Sequence, residues 1–497
     1  MTTDSSSAGQ LVDLVDSFTN KHILCVGDVM LDRYVYGAVK RISPEAPIPV
    51  LAMENETAML GAAGNVVRNI VAMGGTASLL GVVGDDEEGR DVLRLIQDEP
   101  RLEANLLTVR GRKTTVKTRY VAGVQQLLRL DSEDTSPLDQ EHEDRMLRAF
   151  SAQLADCDAV VLSDYAKGVL SARVLPELIK QANQANKPII ADPKNEDFGM
   201  YHGVTVLKPN AIETERATGI PCKDNNQAVE AGRKALSASG ATAMLITRSE
   251  KGMTLVSNDR PEGVHFRPQA AEVFDVSGAG DTSSAALALA LATGAAFDAA
   301  AALANLAGSL AVAKMGTAVV LQEELSQALQ AQALEGAEAK ILSLPQMLEK
   351  VAQWRKKGLR IGFTNGCFDL LHPGHVSLLA QAREQCDRLI VGLNTDASIK
   401  RLKGDDRPIN PEMARAVVLT SLETVSTVTL FAEDTPLKLI EAIKPDVLIK
   451  GADYTIDTVV GSDVVQAYGG QVFLAKLKPG HSTTNTITKM NKTKAAS

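Results

Sequence analysis

Residues 275–282 read Asp-Val-Ser-Gly-Ala-Gly-Asp-Thr and open directly into a helix-forming run, Ser-Ser-Ala-Ala-Leu-Ala-Leu-Ala-Leu-Ala. Gly278, Ala279 and Gly280 are small enough for backbone N–H groups to turn toward one point, and the helix aims the positive end of its dipole there. Such a nest suits a phosphoryl group that gathers charge in flight, and Asp281 sits inside it as an acceptor for a hydroxyl proton. The dipole alone favours an Asp in a first turn; the nest, Asp275 and polar strand ends elsewhere shift the balance to general-base chemistry. Further on, His372-Pro373-Gly374-His375 follows a strand and a glycine turn. Two imidazoles three residues apart at a helix start can both donate to one phosphate. A nucleotidyl transfer needs that stabilisation and no strong base, because its attacker is already an anionic phosphate.

Around the first centre, Asn210-Ala211-Ile212-Glu213 follows a strand end, and its i, i+3 spacing puts amide and carboxylate on one side of a helical turn. Those oxygens suit the water shell of a magnesium ion carried by ATP, with Glu213 acting through water; a plain helix cap is the competing reading. Thr247 to Gly252 forms a candidate nucleotide loop. Asp28 and Asp32, near a strand end, are candidates for gripping sugar hydroxyls. The run Leu60-Gly61-Ala-Ala-Gly-Asn65 lets a ligand approach backbone closely, with Gly61 and Asn65 as contacts. Around the second centre, Lys400, Lys403 and Arg407 form a basic loop for the pyrophosphate end. Ser482, Thr483 and Thr484 would cap a terminal helix and present hydroxyls to a phosphate. Cys367 with His372 and His375 has metal-like separations, but no fourth ligand is evident and zinc is the weaker reading.

These groups need elements to hold them. Short apolar runs at 22–26, 159–162, 188–191, 204–207 and 243–246 alternate with helical patterns, the signature of βαβ units and a parallel sheet. Each run ends in a polar cluster, such as Gly27-Asp28, Ser163-Asp164, Asp192-Pro193-Lys194 and Lys208-Pro209-Asn210. In open α/β sheets the carboxyl ends of strands line the ligand crevice. The stretches 33–52 and 114–130 alternate β-branched and polar residues and predict a small antiparallel sheet, a lid or dimer contact. Residues 331–343 read as a linker, rich in Ala, Gln and Glu, between domains at 1–330 and 344–497. Past it, Ser343 and Gln346 have capping-box spacing, a helix spans 347–357, and Gly358 stops it. Strands follow at 360–363, 388–393, 425–431, 447–449 and 472–475. The fold class is α/β: a doubly wound sheet with a small β lid, then a smaller Rossmann-like domain.

Composition narrows the partners. The 497 residues are 45% hydrophobic and 23% charged, with aromatics at 4%, as expected of Ala/Val/Leu/Ile cores between helices and parallel sheets. A net charge of −9 argues against generic nucleic-acid binding. Five scattered cysteines, Cys25 among them in an apolar strand, make no disulfide framework. No apolar run approaches the roughly 18 residues that span a bilayer. With no basic-then-apolar opening, the expectation is a cytoplasmic protein.

The Asp275–Thr282 run, the Gly61–Asn65 loop and the Asn210…Glu213 pair resemble the ribokinase (PfkB) family of sugar kinases over about residues 20–325. That resemblance implies a ribokinase-like fold and an ATP- and magnesium-dependent kinase with Asp281 as base. His-Pro-Gly-His and the late Ser-Thr-Thr resemble the cytidylyltransferase-like nucleotidyltransferases. The order of the modules, with Gly27-Asp-Val-Met-Leu-Asp-Arg-Tyr, Arg41-Ile-Ser-Pro-Glu-Ala-Pro, Ser163-Asp-Tyr-Ala-Lys-Gly and Arg401-Leu-Lys-Gly-Asp, resembles the bifunctional heptose 7-phosphate kinase/heptose 1-phosphate adenylyltransferase family. This implies phosphorylation of the anomeric hydroxyl, adenylyl transfer from ATP, and a product feeding lipopolysaccharide core synthesis. A homodimer joined through the lid is the expected assembly, with no membrane or nucleic-acid partner. Two positions depart from the family pattern: the loop reads Gly-Ala-Ala-Gly-Asn for Gly-Gly-Ala-Ala-Asn, and His481 stands where Cys is usual. Another sugar or polyol kinase fused to a cytidylyltransferase, or a non-catalytic nucleotide-binding regulator, are the competing readings.

Overall fold

The computed structural model describes residues 5–123, 125–268, 273–452 and 454–476, with side chains from residue 9. It divides into two compact units, one of residues 11–328 and one of 329–497 with the first ten residues. The strands of the larger unit are β1 (His22–Gly27), β2 (Val29–Ile42), β3 (Pro49–Ala62), β4 (Thr76–Gly84), β5 (Leu102–Val109), β6 (Thr115–Ala122), β7 (Gln125–Ser132), β8 (Ala159–Ser163), β9 (Ile189–Asp192), β10 (Val206–Leu207), β11 (Ala243–Thr247), β12 (Met253–Ser257) and β13 (Arg260–Phe266). Nine of them form one sheet in the order β13-β12-β11-β10-β9-β8-β1-β4-β5. It is parallel from β11 to β5, and β12 and β13 add an antiparallel edge.

The five apolar runs read from the sequence become β1, β8, β9, β10 and β11, at the centre of this sheet. Strand order reverses around β1, which has β8 on one side and β4 on the other, so a crevice opens at the carboxyl ends there. Leu24, Val26, Val160, Leu162, Ile189 and Met244 are buried in one apolar cluster that holds the sheet to its helices. The helices Ala279–Ala292 and Phe297–Val312 are apolar nearly all round and correspondingly buried, with Ala and Gly side chains small enough for close packing.

The lid is a four-stranded sheet, β3-β2-β6-β7. It corrects the expectation of an all-antiparallel sheet: β2 and β6 pair in parallel, because a long connection through β4 and β5 separates them. The stretch read as a linker is also ordered. Helix Gln322–Glu338 runs through it, with Leu325, Leu329 and Ala337 buried along one side.

The smaller unit is a five-stranded parallel sheet of β14 (Ile361–Gly366), β15 (Arg388–Asn394), β16 (Thr427–Phe431), β17 (Val447–Gly451) and β18 (Gln471–Ala475), in the order β16-β15-β14-β17-β18. Leu389, Val391 and Leu393 of β15 enter one apolar cluster and Ile390 another, so the alternation of a strand supplies both faces. The capping box of Ser343 and Gln346 opens helix Leu344–Lys356, as the spacing predicts. No described helix is long and apolar enough to cross a membrane.

Candidate active sites

At the carboxyl end of β1, Gly27 lies opposite Ser163 of β8, so close that a Cβ would meet the Ser163 carbonyl oxygen at 2.1 Å. Asp28, next in the chain, is buried and accepts backbone N–H bonds from Tyr165 (2.8 Å), Lys167 (3.0 Å) and Val169 (3.3 Å). Burial raises its pKa while those amides oppose the rise. The expected sugar-gripping role of Asp28 is corrected accordingly: its oxygens are spent on shaping the loop after β8. That loop delivers Tyr165, a residue that no local spacing marks as functional.

Gly278 caps helix Ala279–Ala292 at φ 79°, a left-handed conformation suited to glycine. A Cβ there would also lie 2.7 Å from the Asn65 side-chain nitrogen. Asp281, in the first turn, is 4% exposed. The Tyr165 hydroxyl donates to its Oδ1 at 2.8 Å, and the Asn65 amide donates to its Oδ2 at 2.9 Å. Asn69 steadies Asn65, donating to its backbone oxygen at 2.9 Å. Burial pushes the Asp281 carboxyl up to about 7, with the Asn65 and Tyr165 bonds and Lys208 working against it and Asp192 with it. A carboxylate that titrates near neutrality is suited to general-base work. Asn65, expected at the sugar, thus meets the candidate base itself.

The nest has a buried cation behind it. Lys208 is 2% exposed and pairs with Asp192 at 2.9 Å, and Ser284 donates to the same carboxylate at 3.1 Å. Both charged groups come within 3.9 Å of where a Gly280 Cβ would sit. The sequence exposed them only as polar strand ends. On the lid, Gly61 lets β3 approach Asp32, since a Cβ would sit 2.3 Å from Asp32 Oδ2. Asp32 is buried and bonded to Arg119.

Asn210 and Glu213 form a full capping box, each bond 2.9 Å, on helix Ala211–Thr218. The second Glu213 oxygen pairs with Lys194 at 2.9 Å. One partly committed carboxylate is a poor direct magnesium ligand and fits a water-mediated one. Ala211 and Ile212 complete the first turn, with Ile212 exposed. Thr247 bridges Asn210, and its amide donates to the Pro209 oxygen at 3.0 Å, so these two candidate regions meet. Gly252, at φ 75°, closes the loop against β13, where a Cβ would overlap the Phe266 oxygen.

In the smaller unit, His372 is the N-cap residue of helix Pro373–Glu384, whose Pro373 stands at the first helical position. The His372 and His375 rings stack at 3.8 Å, and Phe368 lies 5.0 Å from His375. Burial, followed by the charges of His372 and Lys403, draws His375 down to about 4, so at neutral pH it is an uncharged hydrogen-bond donor. A groove of about 660 Å³ runs beside them, lined by Leu371, His372, Pro373, Val376, Ser377 and Ala380.

The loop after this motif is tied down by Asp369, which accepts from Arg407 and from the backbone of Ile409 (2.7 Å). Arg407 anchors this loop through its Nε, while its Nη2 is buried with no hydrogen-bond partner among the described residues. Lys403 ends helix Asp396–Lys403 and is exposed, as is Lys400. Arg415, unnoticed in the sequence, is 2% exposed and donates to Asn410 O (3.0 Å), Cys367 O (2.6 Å) and Asp396 (2.7 Å). Among the described residues no group of three His, Cys, Asp or Glu is placed to hold a metal. Ser482 and Thr483 lie outside the described residues, as does His481.

Comparison with known proteins agrees with this division. Residues 20–324 match the model of the pfkB family carbohydrate kinases, and 363–497 match the cytidylyltransferase-like family. The chain is 56% identical over 483 residues to the bifunctional protein HldE of Caulobacter sp. strain K31, covering 97% of this chain and 98% of that one. It is 53% identical over 481 residues to that of Paramagnetospirillum magneticum, covering 97% and 98%. A solved structure of a ribokinase homologue from Agrobacterium tumefaciens aligns with TM-score 0.53 at 21% identity, covering 63% of this chain and 98% of that one. Phosphofructokinase-2 of Escherichia coli, in complex with potassium, aligns with TM-score 0.53 at 18% identity, covering 63% and 99%. At those identities the structures establish the ribokinase-like fold of the larger unit.

Proposed function

The chain belongs to the family of bifunctional HldE proteins, and on that premise we propose that its two units act in turn on one heptose. It is a carbohydrate kinase and a nucleotidyltransferase on a single chain, and its kinase and adenylyltransferase relatives imply the use of ATP. The larger unit phosphorylates the anomeric hydroxyl of heptose 7-phosphate. Asp281 takes the hydroxyl proton as the oxygen attacks the γ-phosphorus of ATP and ADP leaves. The amides of Gly278, Ala279 and Gly280, with Lys208 behind them, hold the charge that accumulates on the transferring group. Asn210 to Glu213 and the Thr247–Gly252 loop hold the nucleotide. A magnesium ion, which Glu213 would hold through water, would neutralise phosphate charge.

Once a separate phosphatase has removed the 7-phosphate, the smaller unit joins heptose 1-phosphate to AMP. The sugar phosphate oxygen attacks the α-phosphorus of ATP and pyrophosphate leaves. His372 and His375 donate to the α-phosphate, Lys403 holds the pyrophosphate end, and Ser482 and Thr483 serve the nucleotide phosphates. The ADP-heptose so formed feeds lipopolysaccharide core synthesis in the cytoplasm. Exposed Ile42, Met53, Leu128 and Leu130 on the lid support a homodimer joined through that sheet.

The observation that carries the kinase reading is a buried carboxylate, bonded by Tyr165 and Asn65, at a helix N-terminus built from glycine and alanine. A coupled assay tests the whole: purified chain, heptose 7-phosphate, ATP, magnesium and the phosphatase. ADP-heptose must form, with bisphosphate accumulating when the phosphatase is withheld. CTP replacing ATP with equal efficiency in the second step would overturn the adenylyltransferase assignment.

A further inference from the structure

Lys117 has no role in the chemistry above, yet its ammonium stands beside the ring of Tyr165, which bonds the candidate base. It lies on β6, where Val116 and Thr118 are buried and Lys117 and Arg119 share the other face. Cross-strand register puts Asp32 of β2 on one side of Lys117 and Asp131 of β7 on the other. Neither carboxylate takes it. Asp32 is bonded by Arg119, and Asp131 is held in a two-pronged contact by Arg129, at 2.8 and 3.1 Å. Among the described residues no carboxylate lies within ion-pair distance of the Lys117 ammonium. Lys167, the other cation near it, is paired with Glu133 at 2.8 Å.

The ammonium instead stands 5.9 Å from the centre of the Tyr165 ring. The hydroxyl of that same ring bonds Asp281. Tyr165 therefore spans the distance between the candidate base and a half-buried cation with no anion of its own. A substrate whose reacting hydroxyl meets Asp281 and which carries a second phosphate at the far end of a seven-carbon skeleton presents charge on the Lys117 side. From this geometry we infer that Lys117 is the anchor for the distal phosphate of the sugar and selects phosphorylated over free heptose. The assignment rests on the reading of heptose 7-phosphate as the kinase substrate. Partial burial lowers the Lys117 pKa, Arg129 and Lys167 add to the shift, and Asp131 and Asp32 offset it only in part, a cost that an arriving phosphate dianion relieves.

The test compares two sugars, heptose 7-phosphate and the same heptose without phosphate, on the full chain and on Lys117→Met and Lys117→Arg. Wild type is expected to prefer the phosphosugar. Lys117→Met should lose about 10- to 100-fold in kcat/KM for the phosphosugar, mostly in KM, as for a charge-assisted contact. It should change little on the free sugar, and Lys117→Arg should recover part of the loss. Adenylyl transfer by the same preparations reports on protein quality. If the variant retains the wild-type preference, or loses equally on both sugars, Lys117 is not the anchor. A wild type that does not discriminate between the sugars would overturn the substrate reading itself, and this assignment with it.

Discussion

Replacing Tyr165 by Phe removes one of the two side-chain donors on Asp281 and leaves the ring in place. Burial raises the Asp281 pKa, and the Tyr165 and Asn65 bonds hold it at about 7 by favouring the charged form. A hydrogen bond to a charged group contributes about 1.5–3 kcal/mol, and one pKa unit is 1.36 kcal/mol, so losing it should raise the pKa by about 1–2 units. The base works only when ionised. At pH 7 the ionised fraction should fall from about half to between about 10% and 1%, lowering the rate about 5- to 50-fold. The loss should be recovered as pH rises toward 9, because the deprotonated variant still has its acceptor. The assay is the pH profile of kinase kcat/KM, from pH 5.5 to 9.5, with adenylyl transfer measured in parallel. A displaced acid limb with an unchanged plateau supports the reasoning. An acid limb that stays put while the whole profile drops would mean that Tyr165 acts through shape, and the electrostatic argument would be refuted.

Asp281→Asn should lower kinase turnover by roughly 10²–10⁴ and leave adenylyl transfer intact. The same change should raise the Tm of the larger unit more at pH 8 than at pH 4. A carboxyl whose folded pKa lies above its unfolded value costs stability increasingly as pH rises between the two, here from about 4 to about 7. Calorimetry at both pH values reads the difference. His375→Ala should cost about 10² in adenylyl transfer for a lost phosphate donor. The wild-type transfer should show no acid limb from His375 until pH approaches about 4, as a rate profile would show. Arg415→Met should destabilise the smaller unit by about 1–3 kcal/mol in urea unfolding, since two backbone oxygens lose their partner while the partly exposed Asp396 can turn to water.

What the sequence disclosed was local. The Gly278–Asp281 nest and the His372–His375 pair are each contained in one helical turn, so spacing alone reveals them. The central strands were visible because both their faces are apolar. The contacts that set the chemistry are not local: Tyr165 and Asn65 reach Asp281 from 116 and 216 residues away. No periodicity carries that information. Asp28 illustrates the converse, a polar residue at the expected strand end whose oxygens serve backbone amides. Helix Gln322–Glu338 escaped because buried Leu325, Leu329 and Ala337 are too few among Ala and Gln to mark a face.

The central claim is that one chain holds two chemically independent sites. Mixing purified Asp281→Asn with purified His375→Ala, in the presence of heptose 7-phosphate, ATP, magnesium and the phosphatase, tests it most directly. Each variant alone should make almost no ADP-heptose, and the mixture should restore synthesis to the same order as wild type. A mixture as inactive as its components would contradict the account.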